Sequence, residues 1–251
     1  MEEKALKTSW KQRIVIGLIA VLLLGSTIAI YAFTVLGNEV DYSKMTQTQL
    51  ETAYEQTYSE YEAEVSALSS QYYNEFVAYK TNVKAYNTTT ANSGGVVMKD
   101  LKEGTGADLP ENYSAYYIGW CADETIFDSS FDNYEEPTSL KAPLAVTPDS
   151  LIDGWYTGTE GMKLGGIREI TIPGPLAYGD TQEICGGKNT PLKFIVLAIE
   201  TNSKLEELSK KLNNIYLALS DVYTQNYSNY SAPDVTGSDS SENNIEISPE
   251  E

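Results

Sequence analysis

The sequence predicts an α+β chain in which a sheet-bearing domain lies between two long amphipathic helices and follows one membrane-spanning helix. Three observations predict this arrangement: an uncharged aliphatic run near the N-terminus, two stretches with apolar residues at helical spacing, and a middle stretch of short β-branched and aromatic runs bounded by Gly and Pro. The chain of 251 residues is long enough for one ordinary domain with helical appendages.

Residues 14–37 form the predicted transmembrane helix. They carry no charge and are almost wholly aliphatic, and at about 1.5 Å per residue they suffice to cross a hydrocarbon core of about 30 Å. Basic residues precede this run and acidic residues follow it: Lys4, Lys7, Lys11 and Arg13, then Glu39 and Asp41. By the positive-inside rule we expect residues 1–13 in the cytoplasm and everything from Asn38 onward outside the cell membrane. A cleaved signal peptide is the competing interpretation, although its apolar core would be shorter, about 7 to 15 residues.

Two amphipathic helices are predicted from apolar residues that recur every three or four positions. The first covers residues 43–88, with a capping-box pattern from Thr48 to Glu51 or an earlier beginning near Ser43. The second covers residues 203–226, with another capping box from Ser203 to Glu206. Each helix carries one apolar stripe, so we expect the two to pack together within the chain or to pair with copies from another chain in a homodimer.

The composition excludes several function classes. A net charge of −19 repels phosphate backbones, so nucleic acid is not an expected partner. The chain has no histidine, which removes the usual general base of serine and cysteine hydrolases and the commonest zinc ligand. We expect neither a metal nor a cofactor. Residues 231–251 are rich in Ser, Asp, Glu and Asn and too poor in large apolar residues to offset ordering entropy, so we expect a disordered acidic tail.

The two cysteines, Cys121 and Cys185, lie in the part of the chain that we expect outside the membrane. Disulfides persist in such a compartment, and one closing this loop would contribute on the order of 4 kcal/mol in the chain-entropy model. Two free thiols fit the sequence equally well.

Residues 96–201 form the predicted sheet-bearing domain, because runs at 113–121, 166–172 and 192–199 have the composition of strands. The stretch from Leu192 to Ala198 is apolar on both alternating faces after its first residues, which indicates a central strand rather than an edge.

Seven short motifs follow one another in this domain. They are Tyr117-Ile118-Gly119, Phe127-Asp128-Ser129-Ser130, Leu151-Ile152-Asp153-Gly154-Trp155, Gly161-Met162-Lys163-Leu164-Gly165, Ile172-Pro173, Leu176-Ala177-Tyr178-Gly179 and Asn189-Thr190-Pro191-Leu192-Lys193-Phe194. In order and spacing, these motifs resemble the macrolide-binding FKBP family of peptidyl-prolyl isomerases. The resemblance covers roughly Val96 to Glu200.

The resemblance implies an antiparallel sheet of about five strands curved around a short helix that begins near Asp153, with a site between helix and sheet. The residues implied as catalytic are Tyr117, Phe127, Asp128 and Tyr178. The residues implied to bind substrate are Leu151, Ile152, Trp155, Phe194, Leu144 and Ile184. Trp155 would form the floor, while the Tyr178 hydroxyl and the Ile152 N–H would bond substrate carbonyls. Taken singly, the aromatic residues could instead be ordinary core.

The activity implied by the resemblance is cis-trans isomerisation of X-Pro bonds in unfolded or extended polypeptides, here of exported or surface proteins. Two departures motivate an alternative, a weakly active or inactive peptide-binding scaffold at the cell surface. The loop from Ile184 to Asn189 replaces the family's proline pair with glycines, and the usual aromatic wall residue between 137 and 151 has Leu144 as its only candidate.

Overall fold

The computed structural model describes residues 40–229. The predicted cytoplasmic N-terminus, the predicted transmembrane helix 14–37 and the predicted acidic tail 231–251 lie outside these residues. Within residues 40–229, no helix combines the length and the apolarity that crossing a bilayer requires.

Four α-helices and six β-strands make up the regular structure of the described residues. The helices are α1 (Gln47–Phe76), α2 (Thr88–Asn92), α3 (Asp153–Thr159) and α4 (Ser203–Asn229). The strands are β1 (Val97–Lys102), β2 (Tyr113–Trp120), β3 (Ile126–Ser129), β4 (Leu144–Val146), β5 (Ile167–Ile172) and β6 (Leu192–Ile199). Short 3-10 helices occur at Tyr42–Lys44, Val77–Asn82 and Gly174–Leu176.

The strands form one antiparallel sheet in the order β1-β5-β6-β2-β3, with β4 paired to β2. Strand β6 lies between β5 and β2, which confirms that the run from Leu192 is central. Its register places Phe194 opposite Ile170 on one side and opposite Gly119 on the other. Helix α3 begins at Asp153, as the resemblance implied.

Alternation along the strands gives the sheet two apolar faces, because successive side chains point to opposite sides. On what we call the helix-covered face, strand residues pack with Phe76 and Val83; these strand residues are Tyr116, Ile118, Trp120, Ile167, Ile195, Leu197 and Ile199. On what we call the cavity face, strand residues pack with Trp155 of α3; these are Tyr113, Ala115, Ile170, Ile172, Phe194, Val196 and Ala198. The sheet therefore contributes to two hydrophobic clusters.

Helix α1 is shorter than the predicted span 43–88. It begins after Thr46, whose hydroxyl accepts from the Gln49 N–H while the Gln49 side chain accepts from the Thr46 N–H, so the capping box lies two residues before the predicted one. The helix ends at Phe76, which is fully buried on the helix-covered face.

After α1 the backbone stays helical at Phe76 and continues as the 3-10 helix Val77–Asn82. It becomes extended at Val83, which packs into the same cluster as Phe76. The Tyr86 hydroxyl then reaches the carbonyl oxygens of Trp120 and Pro191 at 3.2 and 2.9 Å.

The chain divides into two compact units, one ending at Glu55 and resuming at Leu212, the other running from Gln56 to Lys211. In the first unit, Leu50 and Ala53 of α1 pack with Ile215 of α4, so the two predicted amphipathic helices contact each other there. The pairing of these helices between two copies stays a prediction.

The capping box predicted for α4 is also displaced. In the second unit, Asn202 rather than Ser203 caps the helix, because the Asn202 Oδ1 accepts from the Leu205 N–H at 2.9 Å. Helix α4 thus begins at Ser203, as predicted, but its cap is the residue before.

Candidate active site

A cavity of about 340 Å³ opens on the cavity face, beside α3. It is lined by Tyr117, Phe127, Asp128, Leu144, Ser150, Leu151, Ile152, Trp155, Tyr178 and Phe194. All but one of the residues predicted for the site are therefore brought together. Ser150 was not predicted; its position directly before the Leu151 motif is the only signal in the sequence.

Separate elements carry the lining residues to one place. Strand β2 supplies Tyr117, β3 supplies Phe127 and Asp128, and β6 supplies Phe194. Gly119 of β2 lies opposite both Asp128 and Phe194 in the register. A Cβ atom at Gly119 would come within 2.6 Å of the Phe127 ring and 2.9 Å of the Phe194 ring. The glycine therefore leaves the space that these two rings occupy.

The aromatic side chains meet edge to face. The Trp155 ring contacts Tyr117 at a centroid distance of 5.8 Å and Phe194 at 5.4 Å, and Phe127 meets Phe194 at 5.5 Å. Such T-shaped pairs are favoured because the ring edge is positive and the face is negative. Trp155 is only 2% exposed and lies at the bottom of this arrangement, consistent with a floor.

One carboxylate lies at the rim. The Tyr117 hydroxyl donates to Asp128 Oδ2, and Asp128 Oδ1 accepts from the Ser129 N–H at 2.8 Å. The Tyr117 N–H donates to the hydroxyl of Ser130, the residue directly after β3, at 2.8 Å. Asp128 therefore fixes the Tyr117 ring through its hydroxyl.

Both tyrosine hydroxyls of the cavity stay protonated at neutral pH. Burial, and then the hydrogen bond to the Asp128 carboxylate, raise the pKa of Tyr117 above its ordinary value. Burial, and then the charge of Asp128, also raise the pKa of Tyr178. Each hydroxyl can therefore act as a hydrogen-bond donor across the physiological range.

The wall formed by Leu151 and Ile152 is held by Tyr156. Its hydroxyl accepts from the Leu151 N–H at 2.9 Å and donates to the Thr147 carbonyl at 2.7 Å. Ile152 is the N-cap of α3, and the N–H groups at the start of a helix have no partner within the helix. A substrate carbonyl could accept from the Ile152 N–H.

Ile184 is the predicted site residue that the structure does not bring into the lining. It pairs with Gly187 in a tight turn, with N–H to carbonyl distances of 3.0 and 3.2 Å, and packs against the cluster of the cavity face. The turn exists because Cys185 and Gly186 have φ angles of 56° and 79°, in the left-handed region. This geometry folds Ile184 back toward the core.

A disulfide joins Cys121, directly after β2, to Cys185 in this turn, with a Cα–Cα distance of 5.4 Å. The sequence left this pairing open. The bond ties the loop that follows Tyr178 to the end of a central strand.

Comparisons with known proteins match the same part of the chain. Residues 110–200 match the model of the family described as FKBP-type peptidyl-prolyl cis-trans isomerase. The chain is 34% identical over 111 residues to the FK506-binding protein of Neisseria meningitidis serogroup B, covering 43% of this chain and 94% of that protein. It is 34% identical over 108 residues to the FK506-binding protein of Streptomyces anulatus, covering 42% of this chain and 82% of that protein.

A solved structure, the peptidyl-prolyl cis-trans isomerase of Pseudomonas syringae pv. tomato, matches with a TM-score of 0.35 and 26% identity over 49% of this chain and 86% of that one. The sequence matches define the class of the protein, a peptidyl-prolyl cis-trans isomerase. Within that class, the chain belongs to the FKBP-type family, which confirms the resemblance seen in the sequence motifs.

Proposed function

We propose that the cavity on the cavity face binds X-Pro segments of extended or unfolded polypeptides and accelerates rotation about the bond before proline. The observation that carries this proposal is the lining itself, in which Tyr117, Phe127, Trp155, Tyr178 and Phe194 surround a hollow of about 340 Å³ that has one carboxylate at its rim. The barrier to be lowered is amide resonance, about 18 to 20 kcal/mol.

Desolvation is the proposed source of catalysis. A planar amide is more dipolar than the twisted, deconjugated amide of the transition state, so transfer from water into an aromatic cavity destabilises the ground state more. Rotation requires no nucleophile. The Tyr178 hydroxyl and the Ile152 N–H orient the peptide by its carbonyls. Asp128 acts by holding Tyr117 through the hydrogen bond described above.

A protease-coupled isomerisation assay, with a proline peptide as substrate and the full chain as catalyst, tests the proposal. We expect faster cis-trans conversion of a proline peptide, and inhibition of that conversion by FK506. Peptide binding without any rate effect would instead support the alternative, a scaffold module, which the turn at Ile184–Gly187 at the edge of the site motivates.

Two variants test the roles of the polar groups. Tyr178→Phe removes one hydrogen bond and should lower kcat/KM about two- to tenfold. Asp128→Ala should have a similar effect, because the Tyr117 ring loses its anchor. The matched control is Asp108→Ala, a carboxylate outside the cavity lining, which should leave the rate unchanged. Wild-type rates in both site variants would exclude direct parts for Tyr178 and Asp128.

We further propose that the domain works outside the cell membrane on exported or surface proteins, anchored by residues 14–37. The uncharged aliphatic run supports the anchor, and the disulfide between Cys121 and Cys185 fits an oxidising compartment. Uncatalysed proline isomerisation takes tens of seconds or more, so an exported chain that waits on it is exposed to aggregation. Protease added to intact cells should digest the domain, and protection until the cells are permeabilised would refute this placement.

A further inference from the structure

The indole nitrogen of Trp155 is hydrogen-bonded to a residue outside the cavity lining. Trp155 is 2% exposed, and a buried N–H donor requires an acceptor. Its Nε1–H donates to the hydroxyl of Tyr113 at 2.8 Å. Tyr113 is itself 4% exposed and does not belong to the cavity lining. The ring that forms the floor is therefore bonded to a side chain behind the cavity.

The bond belongs to a closed cycle of hydrogen bonds. The Tyr113 hydroxyl donates to Thr159 Oγ1 at 3.1 Å, and the Thr159 hydroxyl donates to the carbonyl of Trp155 at 3.0 Å. Burial raises the pKa of Tyr113, so its hydroxyl keeps the proton that it donates. The cycle joins the side chain of Trp155 to its own backbone through β2 and the last residue of α3.

Strand β2 thus holds the indole at two points. Tyr113 and Tyr117 are four residues apart on β2 and share a face. Tyr117 contacts the indole with its ring, and Tyr113 bonds the indole nitrogen. Rotation of the indole away from Tyr113 would leave a buried N–H unpaired, a cost that the ring contacts by themselves do not impose.

We propose that Tyr113 is a positioning residue of this isomerase: its buried hydroxyl fixes the orientation of the Trp155 indole, and thereby the floor of the cavity, from behind. Only the predicted effect of Tyr113 on catalysis rests on the proposed function of the cavity. The orientation of the Trp155 ring can be measured independently of activity.

The experiment uses the full chain labelled with 5-fluorotryptophan, which gives one fluorine resonance for each of the 3 tryptophans. Trp155→Leu identifies the Trp155 resonance by its loss. In Tyr113→Phe we expect this resonance to shift or split, and kcat/KM for a proline peptide to fall by about two- to tenfold, the value of one hydrogen bond.

Tyr116→Phe is the matched control. Tyr116 lies on the same strand and is fully buried, and within residues 40–229 its hydroxyl has no hydrogen-bond partner. Removing that hydroxyl should change neither the Trp155 resonance nor kcat/KM. An unchanged Trp155 resonance in Tyr113→Phe, or equal changes in both variants, would overturn the proposal.

Thr159 supplies a second test that holds even where Tyr113→Phe folds poorly. Thr159→Val removes the acceptor of the Tyr113 hydroxyl and should move the same resonance, while Thr159→Ser keeps a hydroxyl and should restore the wild-type position. A wild-type resonance in Thr159→Val would count against the cycle. Full activity in Trp155→Leu would refute the proposed function of the cavity, whereas a displaced resonance in Tyr113→Phe would still support the positioning role.

Discussion

On the helix-covered face, the Phe76 ring stacks on Phe131 at a centroid distance of 5.6 Å and lies 6.4 Å from Tyr116. On the cavity face, Trp155 and Phe194 meet edge to face at 5.4 Å beside an open hollow of about 340 Å³. The residue types are the same on both sides of one sheet. The first set is closed over by the long helix α1 and the 3-10 helix after it, whereas the second set faces the 7-residue helix α3.

The covering element, rather than the residue types, therefore distinguishes the filled face from the face with an open cavity. Each helix brings one large side chain to its face, Phe76 from α1 and Trp155 from α3, but on the helix-covered face Val83, which follows the 3-10 helix, packs there as well. Helix α3 offers two glycines, Gly154 and Gly158, at its contacts with the sheet, where a Cβ would approach Ile172 and Ile170 within 2.1 and 2.9 Å. The short helix thus sits close to one side of the face and leaves the other side open.

The largest expected effect is on the stability of the filled face. Phe76→Ala removes a fully buried ring and should lower the free energy of unfolding by about 3 to 5 kcal/mol, because the cavity it leaves is closed on all sides. Urea unfolding followed by circular dichroism measures the change. Where the variant is folded, kcat/KM should stay within about twofold of wild type. A cost below about 1 kcal/mol would show that the helix-covered face is not a packed core.

The disulfide gives the next largest effect. It closes a loop with a sequence separation of 64 residues, so the double variant Cys121→Ala/Cys185→Ala should lose about 4 kcal/mol in the chain-entropy model. The urea midpoint of the oxidised wild type should fall on addition of reductant, and that of the double variant should not. Equal midpoints of wild type and double variant would contradict the prediction.

Phe127→Ala tests the cavity face with the same kind of truncation as Phe76→Ala. The Phe127 ring borders an open hollow, so its loss creates no new closed void and should cost less than about 2 kcal/mol of stability. Phe127→Ala should lower activity more than Phe76→Ala does. We expect a loss of about tenfold in kcat/KM, because the wall that excludes water from the substrate is opened. A stability loss equal to that of Phe76→Ala, with activity unchanged, would make Phe127 an ordinary core residue.

Much of the fold was predictable because its signals are local. The two apolar faces of the stretch Leu192–Ile199 predicted a central strand. The bounds of β2, β5 and β6 agree with the predicted runs to within a residue. The end of α1 was not predictable from periodicity. Residues such as Val83 and Tyr86 keep helical spacing, but the backbone is already extended at Val83, and both residues pack against the cluster of the helix-covered face, which is a tertiary constraint.

The residues that line the cavity were predictable from motif order, and the exceptions have physical causes. Ile184 was expected in the wall, but a turn with two left-handed residues, Cys185 and Gly186, folds it back. The role of Tyr113 was invisible, because its hydroxyl meets the indole of Trp155 only after β2 and α3 pack. The cap at Asn202 was missed because Ser203 is an equally good capping residue one position later.

The smallest effect concerns acid stability and belongs to the loop after β3, which packs Phe131 and Leu140 on the helix-covered face. The Thr138 hydroxyl, together with nearby N–H groups, donates to the Asp132 carboxylate and holds the pKa of Asp132 well below its usual range. A lowered pKa means that the stabilisation is complete above about pH 4, the ordinary pKa, and is lost as the pH falls below it.

Asp132→Asn should therefore be less stable than wild type at pH 7, by no more than about 1 kcal/mol because the carboxylate is exposed. The gap between the two unfolding curves should narrow as the pH is lowered from 5 toward 2, since protonation of Asp132 removes the same charge that the substitution removes. Phe127→Ala, on the other face, should keep a constant gap from wild type over this range because no ionisable group is lost. If the stability difference between wild type and Asp132→Asn does not change with pH, the negative charge of Asp132 does not contribute to stability.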